Sequence, residues 1–154
     1  MKGAGLLCLH LLLFWVGGSA AQDVREIRFA PATDSATLSD AVERGSRHYY
    51  SFVARKGQAA DIHLTAIESN AAFTLWRPGA VPRAGQDADI QGRPLPGAGE
   101  GADATRWQGR LPDSGRYLIV VGPTRGNATY ELRLTIGARA TAPTAASSPY
   151  LPPK

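Results

Sequence analysis

Cysteine is almost absent from this chain: among 154 residues there is one, Cys8. The residues directly before it, Leu6-Leu7, are not the small ones that precede a lipidated cysteine, so no lipid anchor is expected. Beyond Cys8 no thiol remains, which excludes disulfides, a thiol nucleophile and a thiolate metal site. Histidine is scarce as well, with three in all. His10 lies close to Cys8, leaving His48 and His63, which share no metal-ligand spacing. The HExxH and GxSxG motifs are missing, and no serine stands in a nucleophile-elbow context. A convincing helical period is missing too. No apolar run reaches the roughly 20 residues that a membrane-spanning helix needs.

The N-terminus carries the strongest local signal. Lys2 is followed by a nearly apolar run from Gly5 to Val16, then by Gly17-Gly18-Ser19-Ala20-Ala21 and polar Gln22-Asp23. This order reads as a cleaved secretory leader over residues 1–21. Ser19 and Ala21 form the small pair for cleavage after Ala21, and cleavage after Ala20 is the alternative. Export to a bacterial periplasm or exterior follows, and the lack of cysteine fits a Gram-negative envelope better than a disulfide-rich secreted animal module. Stable membrane insertion is not expected.

Of the 17 basic residues only Lys2 lies in the leader, leaving 16 against 13 acidic ones, a net charge of +3. Fourteen of the basic residues are arginine, scattered singly except for Arg55-Lys56. Nucleic-acid binding wants a clustered basic stripe with interleaved aromatics, so nucleic acid is not an expected partner. An acidic protein surface or a glycan suits such a surface better.

Alternation dominates the rest. Strands are expected over 24–29, 37–42, 47–54, 60–67, 71–77, 105–111, 117–121 and along Tyr130 to Ile136. Tyr50, Phe52 and Ala54 share one face; so do Ala60, Ile62, Leu64 and Ala66, with Asp61, His63 and Thr65 opposite. Tyr117 to Val121 is apolar on both faces, as in a central strand. Residues 79–103 hold six glycines and three prolines, and read as a long loop with one short edge strand near Ile90. About eight short strands without helices imply an all-β fold, a two-sheet antiparallel sandwich over 22–138, jelly-roll-like or Greek-key. The alanine, threonine, serine and proline of 139–154 read as a disordered tail.

Catalytic and metal-binding sets are sparse. Asp87, Asp89, Glu100 and Asp103 share the long loop, where a solvated acidic segment is the better reading than a calcium site. Asp113 stabilises the turn Pro112-Asp113-Ser114-Gly115. No enzyme, metal or cofactor is expected. Binding candidates are surface residues of the types favoured at interfaces. Tyr49 is out of phase with Tyr50 and Phe52, and Trp76 is out of phase with Phe73 and Leu75; both are expected at the surface. Arg125 stands at the tip between two well-marked strands.

Three stretches occur in order: Tyr49-Tyr50-Ser51-Phe52-Val53-Ala54-Arg55-Lys56-Gly57-Gln58, Leu111-Pro112-Asp113-Ser114-Gly115-Arg116-Tyr117 and Thr129-Tyr130-Glu131-Leu132-Arg133-Leu134. Together they resemble the bacterial pre-peptidase C-terminal domain superfamily, and within it the periplasmic inhibitors of goose-type lysozyme. The resemblance covers about residues 24–137. It implies a β-sandwich and a loop, Val121-Gly122-Pro123-Thr124-Arg125-Gly126-Asn127, that enters the lysozyme cleft. Arg125 would insert, supported by Thr124 and Asn127, with Tyr49 or His48 as an additional aromatic contact. The short loop and the 79–103 insertion depart from that pattern. Two other readings stand beside inhibition: an accessory module for a glycan, matrix protein or other exported partner, with Trp76 and the insertion at its site, and a structural envelope protein.

Overall fold

The computed structural model describes residues 23–83 and 89–139. The expected leader, Asp87 and all of the expected tail except Arg139 lie outside these residues. Among them the chain forms β1 (Val24–Glu26), β2 (Ser35–Val42), β3 (His48–Ala54), β4 (Gln58–Ala66) and β5 (Ala71–Trp76). These are followed by β6 (Val81–Pro82), β7 (Ile90–Gln91), β8 (Arg106–Arg110), β9 (Gly115–Pro123) and β10 (Ala128–Arg139). Two four-stranded sheets, ordered β1-β3-β9-β5 and β2-β10-β4-β8, make a β-sandwich, and β6 and β7 form a small ribbon beside it. Pairing is antiparallel except for β1 on β3.

Period-two alternation is what packs the two sheets together. Tyr50, Phe52, Phe73, Leu75, Tyr117 and Ile119 enter from one sheet, and Ile62, Leu64, Tyr130, Leu132 and Leu134 from the other. Phe52 and Tyr117 lie stacked, with ring centroids 5.3 Å apart and planes 15° from parallel. The Lys56-Gly57-Gln58 turn needs its glycine, because residue 57 sits at φ 84°, a left-handed conformation costly for any side chain. The expected first strand is shorter than its pattern: pairing ends at Glu26, although Ile27 N–H still bonds Ser51 O at 2.7 Å. At the other end β10 runs on to Arg139 through an irregularity after Ile136.

Tyr117 also ties its own turn. Its hydroxyl donates to Asp113 O at 2.8 Å and accepts from Asp113 N–H at 3.0 Å. Asp113 therefore holds the turn through its backbone, while its carboxylate lies 3.6 Å from Arg77. Tyr117→Phe is expected to lower stability by about 1 kcal/mol, read from denaturant unfolding, because both backbone groups lose this partner.

Where it is described, at 79–83 and 89–103, the long insertion is more ordered than its glycine and proline content suggests. Its backbone runs along the open edge of β5: Leu95 N–H bonds Leu75 O, and Leu75 and Phe73 N–H bond Ala98 O and Ala104 O, each at 2.8 Å. Leu95, Ala98 and Ala104 reach the main core. An edge strand with unpaired backbone groups invites pairing with other chains, and this insertion covers it. The strand expected near Ile90 is present, as one arm of the ribbon.

The insertion also overturns two expectations. Tyr49 and Trp76 do point away from the main core, but neither is at the surface: they are 3% and 4% exposed. They form a second apolar layer with Ile90, Leu118 and Val120, against which Ala80 packs. Phase placed them on the outer face correctly. Ala80 and Ile90, packed against that face, then bury it.

Candidate functional site

Three connections meet at one end of the sandwich. They are residues 43–47 between β2 and β3, 67–70 between β4 and β5, and 124–127 between β9 and β10. β9 and β10 belong to different sheets, so the arginine loop is a crossover between sheets rather than a hairpin tip.

Asn70 holds this end together. It is 2% exposed, and its side-chain amide donates to Arg125 O at 3.2 Å and Asn127 O at 2.8 Å. Its backbone carbonyl accepts from Thr124 N–H at 2.8 Å. Asn127 in turn accepts Arg44 N–H on its side-chain oxygen at 2.9 Å. Gly126 lies at φ 57°, which lets the chain reverse within four residues. The crossover is therefore braced from both neighbouring connections.

Arg125 is exposed, and its guanidinium donates to Glu68 O at 2.6 Å. A guanidinium has five N–H donors. Among the described residues only this one bond of Arg125 occupies them, so the group is oriented yet largely unspent. Thr124 is exposed beside it and lines an open groove of about 950 Å³. Arg47, Thr74, Asp89, Glu100 and Asp103 share the groove's walls. Among the described residues no three His, Cys, Asp or Glu side chains gather as metal ligands.

His48 is half-buried and belongs to a chain of polar contacts that spans the two sheets. Its Nδ1 lies 2.7 Å from Tyr130 Oη, Tyr130 Oη lies 2.6 Å from Tyr50 Oη, and Tyr50 Oη accepts from Arg25 at 2.7 Å. Arg25 also pairs with Asp40 and lies 4.7 Å from the centre of the Tyr50 ring. Burial alone would raise the Asp40 carboxyl; hydrogen bonds from Arg25 and from Ala41 N–H outweigh it and hold the group below its ordinary value. Its contribution to stability is present above the ordinary carboxyl value of 3.8 and is lost as pH falls through the lower native value.

The phenols behave in the opposite sense. Burial pushes Tyr50 and Tyr130 above the ordinary 10.0. The folded state then keeps protons that the unfolded chain releases, so stability is complete below that value and declines as pH rises past it. Thermal melts from neutral pH to about pH 11 are expected to show this alkaline loss, and Tyr130→Phe is expected to shallow it.

The expected site residues thus divide. Arg125, Thr124 and Asn127 are brought together on one braced loop. His48 lies near that end, on a second groove of about 390 Å³ that shares Arg47 with the first. Tyr49 lines the second groove from beneath, as part of the buried outer layer. Trp76 is not brought to this end: it pairs with Leu118, and its ring nitrogen donates to Thr74 at 2.8 Å. Asn70, Arg44 and Arg47 escaped the sequence reading. Glu68-Ser69-Asn70 has turn composition, but nothing local shows that its asparagine serves another loop.

No protein-family model matches the chain, and no curated protein matches it. Among solved structures, periplasmic inhibitors of g-type lysozyme share its fold. The Aeromonas hydrophila inhibitor PliG is 28% identical, with a TM-score of 0.56 over 73% of this chain and 95% of that one. PliG of Salmonella Typhimurium is 24% identical, with a TM-score of 0.52 over 73% and 96%. A mutant of the Escherichia coli protein is 22% identical, with a TM-score of 0.50 over the same shares. This chain is therefore similar in fold to periplasmic inhibitors of g-type lysozyme, and to one of them in more than a quarter of the aligned residues.

Proposed function

We propose that this protein is an exported, non-catalytic inhibitor of goose-type lysozyme. In this reading the leader directs it to a bacterial periplasm or exterior, and the Thr124–Asn127 loop closes the muramidase cleft. The observation that carries the reading is Arg125 on a rigid crossover: exposed, pre-oriented through Glu68, and held from behind by Asn70. The 28% identity to the Aeromonas inhibitor supports it.

The chemistry is that of a plug. Glycoside hydrolases of the lysozyme type work with carboxylates in a saccharide-binding cleft. A guanidinium meets a carboxylate through two parallel hydrogen bonds, with charge assistance. A loop already ordered before contact loses little conformational entropy on binding. Thr124 and Asn127 flank the arginine and give the loop polar sides suited to a cleft that binds sugar hydroxyls.

The test is direct. Purified protein is mixed with goose-type lysozyme, and lysis of isolated cell walls is followed. Inhibition is expected at stoichiometric levels; undiminished lysis at micromolar excess would reject the reading.

The open polar groove favours a second reading, a module that holds an envelope glycan between β5, β9 and the insertion. Trp76 contributes no stacking platform there, since it is buried. Retained binding to cell-wall fragments together with undiminished lysis would select this alternative.

A further inference from the structure

We propose that Ile67 is a second anchor of the same binding end: an apolar plug that enters the partner's cleft wall beside the Arg125 guanidinium. The inference rests on the inhibitor reading and adds a contact to it.

The outer row of β4 carries Asp61, His63 and Thr65, and the next residue in that phase is Ile67. Alternation calls for a polar side chain at this position. Isoleucine stands there instead, 87% exposed, the most exposed of the large apolar side chains described. A four-carbon side chain left in open water adds little to the monomer, because it belongs to neither apolar layer.

Its support is rigid. Ile67 N–H bonds Thr129 O at 3.4 Å, and Ser69 N–H closes the turn on Ala66 O at 3.0 Å. The next residue, Glu68, receives the Arg125 guanidinium on its carbonyl, and Asn70 ties the turn to the crossover. Ile67 and Arg125 are thus parts of one braced tip. An anchor held in place before contact forfeits little freedom on binding.

The surrounding charge indicates the partner's chemistry. The three connections carry Arg44, Arg47 and Arg125 against Glu43 and Glu68. A cationic tip with one protruding apolar branch fits an acidic cleft with an apolar wall. Ligand clefts are built that way, with mainly apolar linings and a few placed polar groups. In a muramidase, Ile67 would fill a position where the apolar face of a sugar ring otherwise lies.

Binding of goose-type lysozyme to the full chain is measured for the wild type, Ile67→Ser, Ile67→Leu, Arg125→Ala and, at the far end of β3, Val53→Ser. Ile67→Ser is expected to weaken binding about tenfold or more, mostly through faster dissociation. Ile67→Leu is expected to stay within about threefold, because similar volume and apolarity are kept. Val53→Ser is expected to bind as the wild type, and the melting temperatures of the Ile67 variants should match it. Added salt should weaken wild-type binding, while the ratio between wild type and Ile67→Ser should hold. If the wild type binds and Ile67→Ser binds equally well, the Ile67 anchor is overturned and the Arg125 reading survives. If the wild type does not bind, the inhibitor reading falls, and the partner assigned to Ile67 falls with it.

Discussion

Arg125→Ala is expected to weaken binding to goose-type lysozyme by about 2–5 kcal/mol, the range for truncating one member of a desolvated, hydrogen-bonded charge pair. The folded state should scarcely notice. The side chain is exposed, and its one bond among the described residues goes to Glu68 O at 2.6 Å, a carbonyl that water can reach at an exposed turn. Matching melting curves with a large fall in inhibition would locate the effect at the partner. Arg125→Lys separates charge from shape. It keeps the positive charge but not the planar fork, so it should recover only part of the loss. Unchanged inhibition by Arg125→Ala would remove the insertion mechanism, even if inhibition itself is found.

Asn70→Ala is expected to act in the reverse order, on the fold first and on binding through it. Asn70 is 2% exposed, and its amide serves two carbonyls of the crossover, Arg125 O and Asn127 O. Losing a buried partner of this kind costs about 1–3 kcal/mol. The crossover then loses its brace, so ordering it must be provided at the moment of binding, and inhibition should fall as well. Asn70→Asp is the sharper variant. It keeps the shape but turns a carboxylate toward carbonyl oxygens. Unfolding should therefore be at least as facile as in Asn70→Ala at neutral pH, with partial recovery once the carboxyl is protonated. Hydrogen exchange at residues 124–127 reports the brace directly. Unchanged protection there in Asn70→Ala would contradict the role given to Asn70.

Much of this molecule was legible in the chain because β-structure writes itself at period two. Tyr50, Phe52 and Ala54 face the core as their phase requires, and so do Ile62, Leu64, Leu132 and Leu134. Tyr117 to Val121 is apolar on both faces and forms an inner strand of its sheet. Phase also told which way Tyr49 and Trp76 point. It did not tell what lies above them, and the insertion decides that. Likewise, 79–103 has too few large apolar residues to advertise order, yet Ile90, Leu95 and Ala98, with Ala104 just beyond, are enough to seat its described parts.

By itself the sequence determined the class of fold, the chemical sparseness and the position of the arginine loop, because these follow from alternation, residue types and turn composition. The tertiary structure decided which strands lie side by side. It placed β9 and β10 in opposite sheets, so that Arg125 rides a crossover, and it brought Glu68 and Asn70 against that crossover from a turn more than fifty residues earlier. The physical reason is range. Alternation is a property of neighbouring residues, whereas the brace is a set of hydrogen bonds between segments that meet only after both sheets have formed.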